Sequence, residues 1–250
     1  MATFRKLKQM LERLLLPPAW PEDAVAIPPA LEELSGMETV SPLLALLPKG
    51  GILKWRAIIL LGRVVSQMAG QDMEKARRVM RRCMWHLNED SGNLGWGVAE
   101  AMGEIAAQSA PLADAYGRCI LSYVRQTGFA DNYIDYAPLR RGAYWAVGRF
   151  APECPAYHAE GEELLILGLA DADPGCQGIA AWGIARMAAR KGPPGNRDDL
   201  DRLVVLLRHV AASRHECEIL DGLHVRCRPA SAYARQAQCI VAAYQDRCFP

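Results

Sequence analysis

Apolar residues recur at helical spacing along almost the whole chain. Phe4, Leu7, Leu11, Leu14 and Leu15 follow an i, i+3, i+4 pattern, and Arg5, Lys6, Lys8 and Arg13 occupy the other face. This spacing predicts an amphipathic helix. Such a basic helix can serve as a membrane or partner element. The preferred reading is a cap whose apolar stripe covers the end of the core, because a helical array needs one. Residues 17–30 hold five prolines and read as an extended connection. From there helical stripes follow one another, broken by Pro and Gly, and no strand alternation is read.

Four of these stripes align. Residues 54–64, 95–105, 140–150 and 177–187 superimpose on one small residue each: Gly62, Gly103, Gly148 and Ala185. The anchors are 41, 45 and 37 residues apart. A period near 40 is the signature of a helical array. Two positions before the anchor stand Leu60, Ala101, Ala146 and Gly183, and five before it stand Ala57, Val98, Ala143 and Ala180. Larger side chains flank the anchor: Leu61, Met102, Val147 and Ile184 before it, and Val64, Ile105, Phe150 and Met187 two after it. Small residues let neighbouring helices approach and large ones fill the layer between repeats, so these positions are core. Each anchor helix follows an apolar helix, at 43–47, 79–87, 119–124 and 164–169; a further pair lies at 203–210 and 233–244. The expected organisation is one domain. Residues 1–36 form the N-terminal cap, and repeats span 37–70, 72–108, 111–151, 156–191 and 198–245.

The small-small-x-small-large-Gly-x-large pattern of the second helices, led by Asp171-Ala172-Asp173-Pro174-Gly175, resembles HEAT-like repeats of the phycobilin-lyase type over residues 37–245. The resemblance implies an all-α fold, a right-handed α-solenoid of about five helix pairs plus the capping helix. Such arrays host scaffolds, lyases and DNA-repair enzymes, so the fold does not fix the function. Residues 81–97, 100–105 and 139–150 also resemble a narrower HEAT-like family of anaerobic bacteria, sulfate reducers among them, whose members have no assigned function.

Composition narrows the setting. The chain has 250 residues, of which 51% are hydrophobic and 23% charged, enough for a sizeable core. Lys and Arg number 29 against 28 Asp and Glu, a net charge of +1. Bulk charge therefore gives no strong case for nucleic acid or anionic membrane. No apolar run approaches the roughly 18 residues that span a bilayer, and no cleavable leader is read, so a cytosolic location is expected. The eight cysteines, at 83, 119, 154, 176, 217, 227, 239 and 248, are scattered without a C-x-x-C. Buried thiols in a reducing compartment are the expected reading.

Three features carry candidate chemistry. The first is a stripe at seven and three positions before the anchor and one after it, which share a helix face. It reads Trp55/Ile59/Arg63, Trp96/Glu100/Glu104, Arg141/Trp145/Arg149 and Gly178/Trp182/Arg186. In HEAT-like arrays the second helix lines the concave surface, so the resemblance implies a partner-binding groove. Its residues would be Trp96, Glu100, Glu104, Arg141, Trp145, Arg149, Trp182 and Arg186, all at least partly accessible. Trp and Arg dominate binding hot spots. The competing reading is an inter-repeat ladder, with Glu100 and Glu104 paired to Arg63 and Arg149 and the Trp side chains packed. The second feature is the loop Asn88-Glu89-Asp90-Ser91-Gly92-Asn93. Its carboxylates could hold a hard cation or act as an acid/base pair, and Asp90 or Ser91 could equally cap the next helix, the preferred reading. The third is His215, Cys217, His224 and Cys227, a weak zinc or iron signal without paired C-x-x-C spacing. No metal site is assigned on it.

The chain has no Gly-rich phosphate loop, no G-x-S-x-G and no H-E-x-x-H, so no catalytic residue and no cofactor is assigned. The expected function is a non-enzymatic interaction module that binds a protein or peptide in its groove. The alternatives are a groove enzyme of the DNA-glycosylase type and a chromophore or cofactor lyase.

Overall fold

A computed structural model describes residues 4–34, 36–88, 95–128 and 132–248, with side chains described to residue 244. Among them are twelve helices and one two-stranded sheet. The protein is mostly helical, as the periodicity predicts. Its contacts divide it into two compact units, residues 1–116 with 220–226 and residues 117–219 with 227–250.

In the first unit α1 (Phe4–Leu14) packs on α3 (Met37–Leu44). Leu11 and Leu15 are fully buried, so the apolar stripe of α1 covers core, while Phe4 stays largely exposed. The proline-rich segment is not the plain extended connection its composition suggests. It contains a one-turn helix, α2 (Pro29–Glu32), and it is clamped from the core. Arg56 of α4 (Gly51–Gln71) is buried and donates from Nη1 to the carbonyls of Leu15 and Trp20, at 2.7 Å each, and from Nη2 to that of Pro21 at 2.8 Å. Its guanidinium stands 4.9 Å from the ring centroid of Trp20, which is itself fully buried. These bonds replace the water that a buried cation would lose.

Helix α4 starts after a single 3-10 turn at Leu47–Lys49, where Gly50 and Gly51 adopt φ of 72° and 52°. Only glycine enters that region without strain. Helix α5 (Met73–Leu87) is capped by Asp72, whose carboxylate accepts from the Lys75 amide at 3.1 Å. Helix α6 (Val98–Gln108) follows. Helix α4 packs against α3, α5 and α6. It is apolar nearly all round, as a helix enclosed by neighbours must be. Where α4 meets α6, a Cβ on Gly62 would lie 2.6 Å from Glu104 Cγ.

Helix α7 (Ala110–Ser122) begins in the first unit and ends in the second. The second unit continues with α8 (Ala137–Phe150), α9 (His158–Gly168), α10 (Pro174–Lys191), α11 (Arg197–Val210) and α12 (Ala230–Cys248). Helix α10 is the hub, packed against α8, α9, α11 and α12. Its start is set by Asp173, which accepts from the Cys176 amide at 2.8 Å, and by Pro174 in the first turn. Asn196 caps α11 in the same way, accepting from the Asp199 amide at 2.7 Å. At the α8–α10 crossing a Cβ on Gly148 would lie 2.8 Å from the Cα of Gly183, so backbone meets backbone.

Residues 198–245, expected as a helix pair at 203–210 and 233–244, also contain a β-hairpin between the two helices: β1 (Glu216–Asp221) and β2 (His224–Pro229). The local chemistry accounts for it. Cys217 and Ile219 are buried while Glu216 and Glu218 face solvent, a period of two. Gly222 takes φ 63° as the first residue of a two-residue loop, the position that a tight hairpin gives to glycine. No described helix is long and apolar enough to cross a membrane.

Candidate functional site

The aligned stripe lies on α4, α6, α8 and α10, with Trp96 just ahead of α6, and the structure places its members at two depths. In the first unit Trp55 and Ile59 are buried. Lys54 Nζ stands 3.8 Å from the Trp55 ring centroid and 3.4 Å from Glu100 Oε1. Glu104 accepts from Gln108 Nε2 at 2.6 Å, and Arg63 pairs with Glu32 at 3.4 Å. Glu100 and Glu104 are 7% and 5% exposed, and Trp96, just ahead of α6, is half-buried.

In the second unit Trp145 and Trp182 are 1% and 2% exposed. Their rings stack with centroids 5.8 Å apart and planes 8° from parallel. Arg141 holds Asp173 through two bonds of 2.7 Å, Nε to Oδ1 and Nη2 to Oδ2. Hydrogen bonding from Arg141 holds the Asp173 carboxyl well below the usual carboxylate range. Arg186 donates from Nε to the Gly148 carbonyl and from Nη2 to Glu153, both at 3.1 Å, and its guanidinium lies 5.2 Å from the Trp182 ring centroid. Arg149 and Arg190 reach the same Glu153 at 4.0 and 3.9 Å.

The expectation that all eight stripe residues are accessible therefore fails for four: Glu100, Glu104, Trp145 and Trp182. They do share a helix face, as their spacing requires. That face is where these helices pack on one another: α4 on α6, and α8 on α10. Trp145 and Trp182 fill the second contact, as the ladder reading has it. Arg141, Arg149 and Arg186 are left half-buried at the edge, with Trp96 at a comparable depth in the first unit.

Of the loop candidates, Glu89 and Asp90 lie outside the described residues. Asn88 closes α5, its amide donating to the carbonyls of Met84 and Trp85 at 3.2 Å. The His215, Cys217, His224 and Cys227 set does not converge. No described group of three or more His, Cys, Asp or Glu side chains is placed to hold a metal ion. Cys217 points into the core, where burial pushes its thiol up to about 12, while Cys227 is exposed beside Glu216.

Two features escaped the sequence reading. One is a buried ion pair between Arg140, near the start of α8, and Asp171, with bonds of 2.8 and 2.9 Å. Arg140 also donates to the carbonyls of Ile134 and Asp135, so it ties two loops to one helix start. Hydrogen bonding to Asp171 raises the affinity of Arg140 for its proton. The other is the outer face of α5. Ala76, Val79, Met80 and Cys83 form its buried stripe, and Arg78, Arg82 and Trp85 stand on the exposed side. That division was legible in the i, i+3, i+4, i+7 spacing of the apolar residues. Compared with known proteins, the chain matches no family model and no curated protein.

Proposed function

We propose that this chain is a non-catalytic interaction module, a right-handed array of HEAT-like helix pairs. Its ligand is a segment of another protein, received along the second-helix face of residues 137–191. The observation that carries this reading is the arginine edge at Glu153. Arg149, Arg186 and Arg190 converge on that one carboxylate, and Arg186 is braced on the Trp182 ring and the Gly148 carbonyl. Guanidiniums fixed before binding lose little side-chain freedom on meeting a carboxylate. An enzymatic groove of the aromatic-and-acid type finds less support, since of its candidates Trp96, Trp145, Trp182, Glu100, Arg149 and Arg186 three, Trp145, Trp182 and Glu100, are buried.

The test is capture from native lysate by wild type and by the Arg149→Ala/Arg186→Ala protein. The expected result is a partner retained by wild type and lost on the double substitution, with unchanged melting temperatures. Identical retention by the two proteins sinks the proposal.

A further inference from the structure

Helix α5 carries a second surface, distinct from the arginine edge and on the other compact unit. Residues 72–87 contain five Lys or Arg against two Asp or Glu, in a protein whose net charge is +1. Some of this charge is already matched. Glu74 pairs with Arg81 and reaches Arg77 at 4.0 Å, and Lys75 pairs with Asp72 at 3.1 Å. Two guanidiniums remain outside these pairs. Arg78 projects into solvent, and Arg82 is propped by a 2.7 Å bond to the Ser41 hydroxyl of α3. One turn further along stands Trp85, 72% exposed, the most exposed of the described tryptophans. Positions 78, 82 and 85 are i, i+4 and i+7, so the three side chains form one line along the helix.

An exposed indole in line with two outward arginines is the composition of a binding hot spot and not of an ordinary solvated face. We propose that the α5 face docks an acidic amphipathic helix of another protein. Two carboxylates one turn apart on the partner would meet Arg78 and Arg82, and an aliphatic side chain one turn beyond would cover Trp85. Charge complementarity selects an anionic partner. The number of available cations selects protein over nucleic acid. Five Lys or Arg less Asp72 and Glu74 leave a net charge of three, which would neutralise only about three phosphates, too few to hold a strand at physiological salt. Two carboxylates and an apolar side chain suit the same line, because the indole supplies apolar area and the arginines set register. A 15-residue helix offers a face about 22 Å long, which suits a small, transient interface.

The experiment is selection of a display library of helix-biased 15-residue peptides on the full chain, with a labelled 20-nucleotide oligothymidine measured in parallel. The expected consensus has Asp or Glu at two positions one turn apart and Leu, Ile or Met one turn further. The selected peptide should shield Trp85 from acrylamide quenching. It should lose at least about tenfold in affinity on Arg78→Glu/Arg82→Glu, at unchanged melting temperature, because both side chains are exposed. Selection repeated on that charge-reversed protein should return Lys or Arg at the two positions. A consensus without paired acids, binding indifferent to the charge reversal, or an oligonucleotide that outcompetes the best peptide would each overturn the proposal. The last outcome would assign the face to single-stranded nucleic acid.

Discussion

Trp145 and Trp182 lie face to face across α8 and α10, 5.8 Å apart and within 8° of parallel, each almost wholly shielded from water. The pair is a structural contact between α8 and α10, with the half-buried Arg149 and Arg186 at its edge. Trp145→Ala should therefore destabilise the protein by about 3–5 kcal/mol, the usual range for removing a buried indole. Combining it with Arg149→Ala should add little. Denaturant midpoints check this. A Trp145→Ala protein as stable as wild type would show that the stack is not the core contact described.

The α8–α10 crossing rests on a second pair, Gly148 and Gly183. A methyl group on Gly148 would press on the Gly183 backbone at 2.8 Å, and backbone cannot swing aside as a side chain does. Gly148→Ala should cost about 1–3 kcal/mol, and Gly148→Leu more. Gly70, near the end of α4, provides the contrast, since nothing lies within 4 Å of its added Cβ. There alanine should stabilise by about 0.5–1 kcal/mol through its better helix propensity. Thermal melts of the two alanine variants should move in opposite directions.

The helix series was legible because its cause is local. Apolar spacing around Gly62, Gly103, Gly148 and Ala185 locates α4, α6, α8 and α10, and the need for close approach explains the glycine at Gly148. The hairpin was also local, in Glu216-Cys217-Glu218-Ile219 and the turn at Gly222-Leu223, but four residues of alternation were submerged in a helical context. The depth of the stripe was not legible. Periodicity says that Trp145, Arg149 and their equivalents share a face, and it is silent on whether solvent or a neighbouring helix covers that face. Buried Arg56 and Arg140 escaped for a related reason. Their partners include backbone carbonyls at Leu15, Trp20, Pro21, Ile134 and Asp135, which carry no residue-specific signal.

The thiols should react in order of burial. Cys227 and Cys239 are exposed, whereas Cys83, Cys176 and Cys217 are buried. Burial pushes Cys83 and Cys217 up to about 12 and raises Cys176 as well, so almost none of these three is thiolate at neutral pH. Under native conditions a disulfide reagent should label Cys227 and Cys239 first, and the buried three only after denaturant is added. Peptide mapping of the labelled protein checks the order. Early modification of Cys83 would mean that α5 opens from its neighbours.

The Arg141–Asp173 pair gives the fold a dependence on acid. Asp173 is a carboxylate whose folded pKa lies below its unfolded value, so the folded state binds fewer protons than the unfolded one. Its contribution is fully present above the unfolded value, about 3.9, and is lost as pH falls toward the folded one. The Asp173→Asn variant isolates this effect, because asparagine keeps an oxygen for the Cys176 amide and remains a good helix cap. It gives up the charge that faces Arg141 and the Oδ2 acceptor for Arg141 Nη2, and only the charge makes the loss depend on pH. The pair is partly exposed, with side-chain accessibilities of 32% and 16%, so screening by water keeps the difference near 1 kcal/mol. At pH 7 the variant should be less stable than wild type by about that amount. Between pH 4 and pH 3 the two stability curves should begin to converge, as Asp173 in the unfolded chain takes up its proton. Urea unfolding at half-unit intervals from pH 7 to pH 3 measures the gap. A gap that stays constant over that range would mean that the Asp173 charge contributes nothing to stability, and that its role is confined to capping α10.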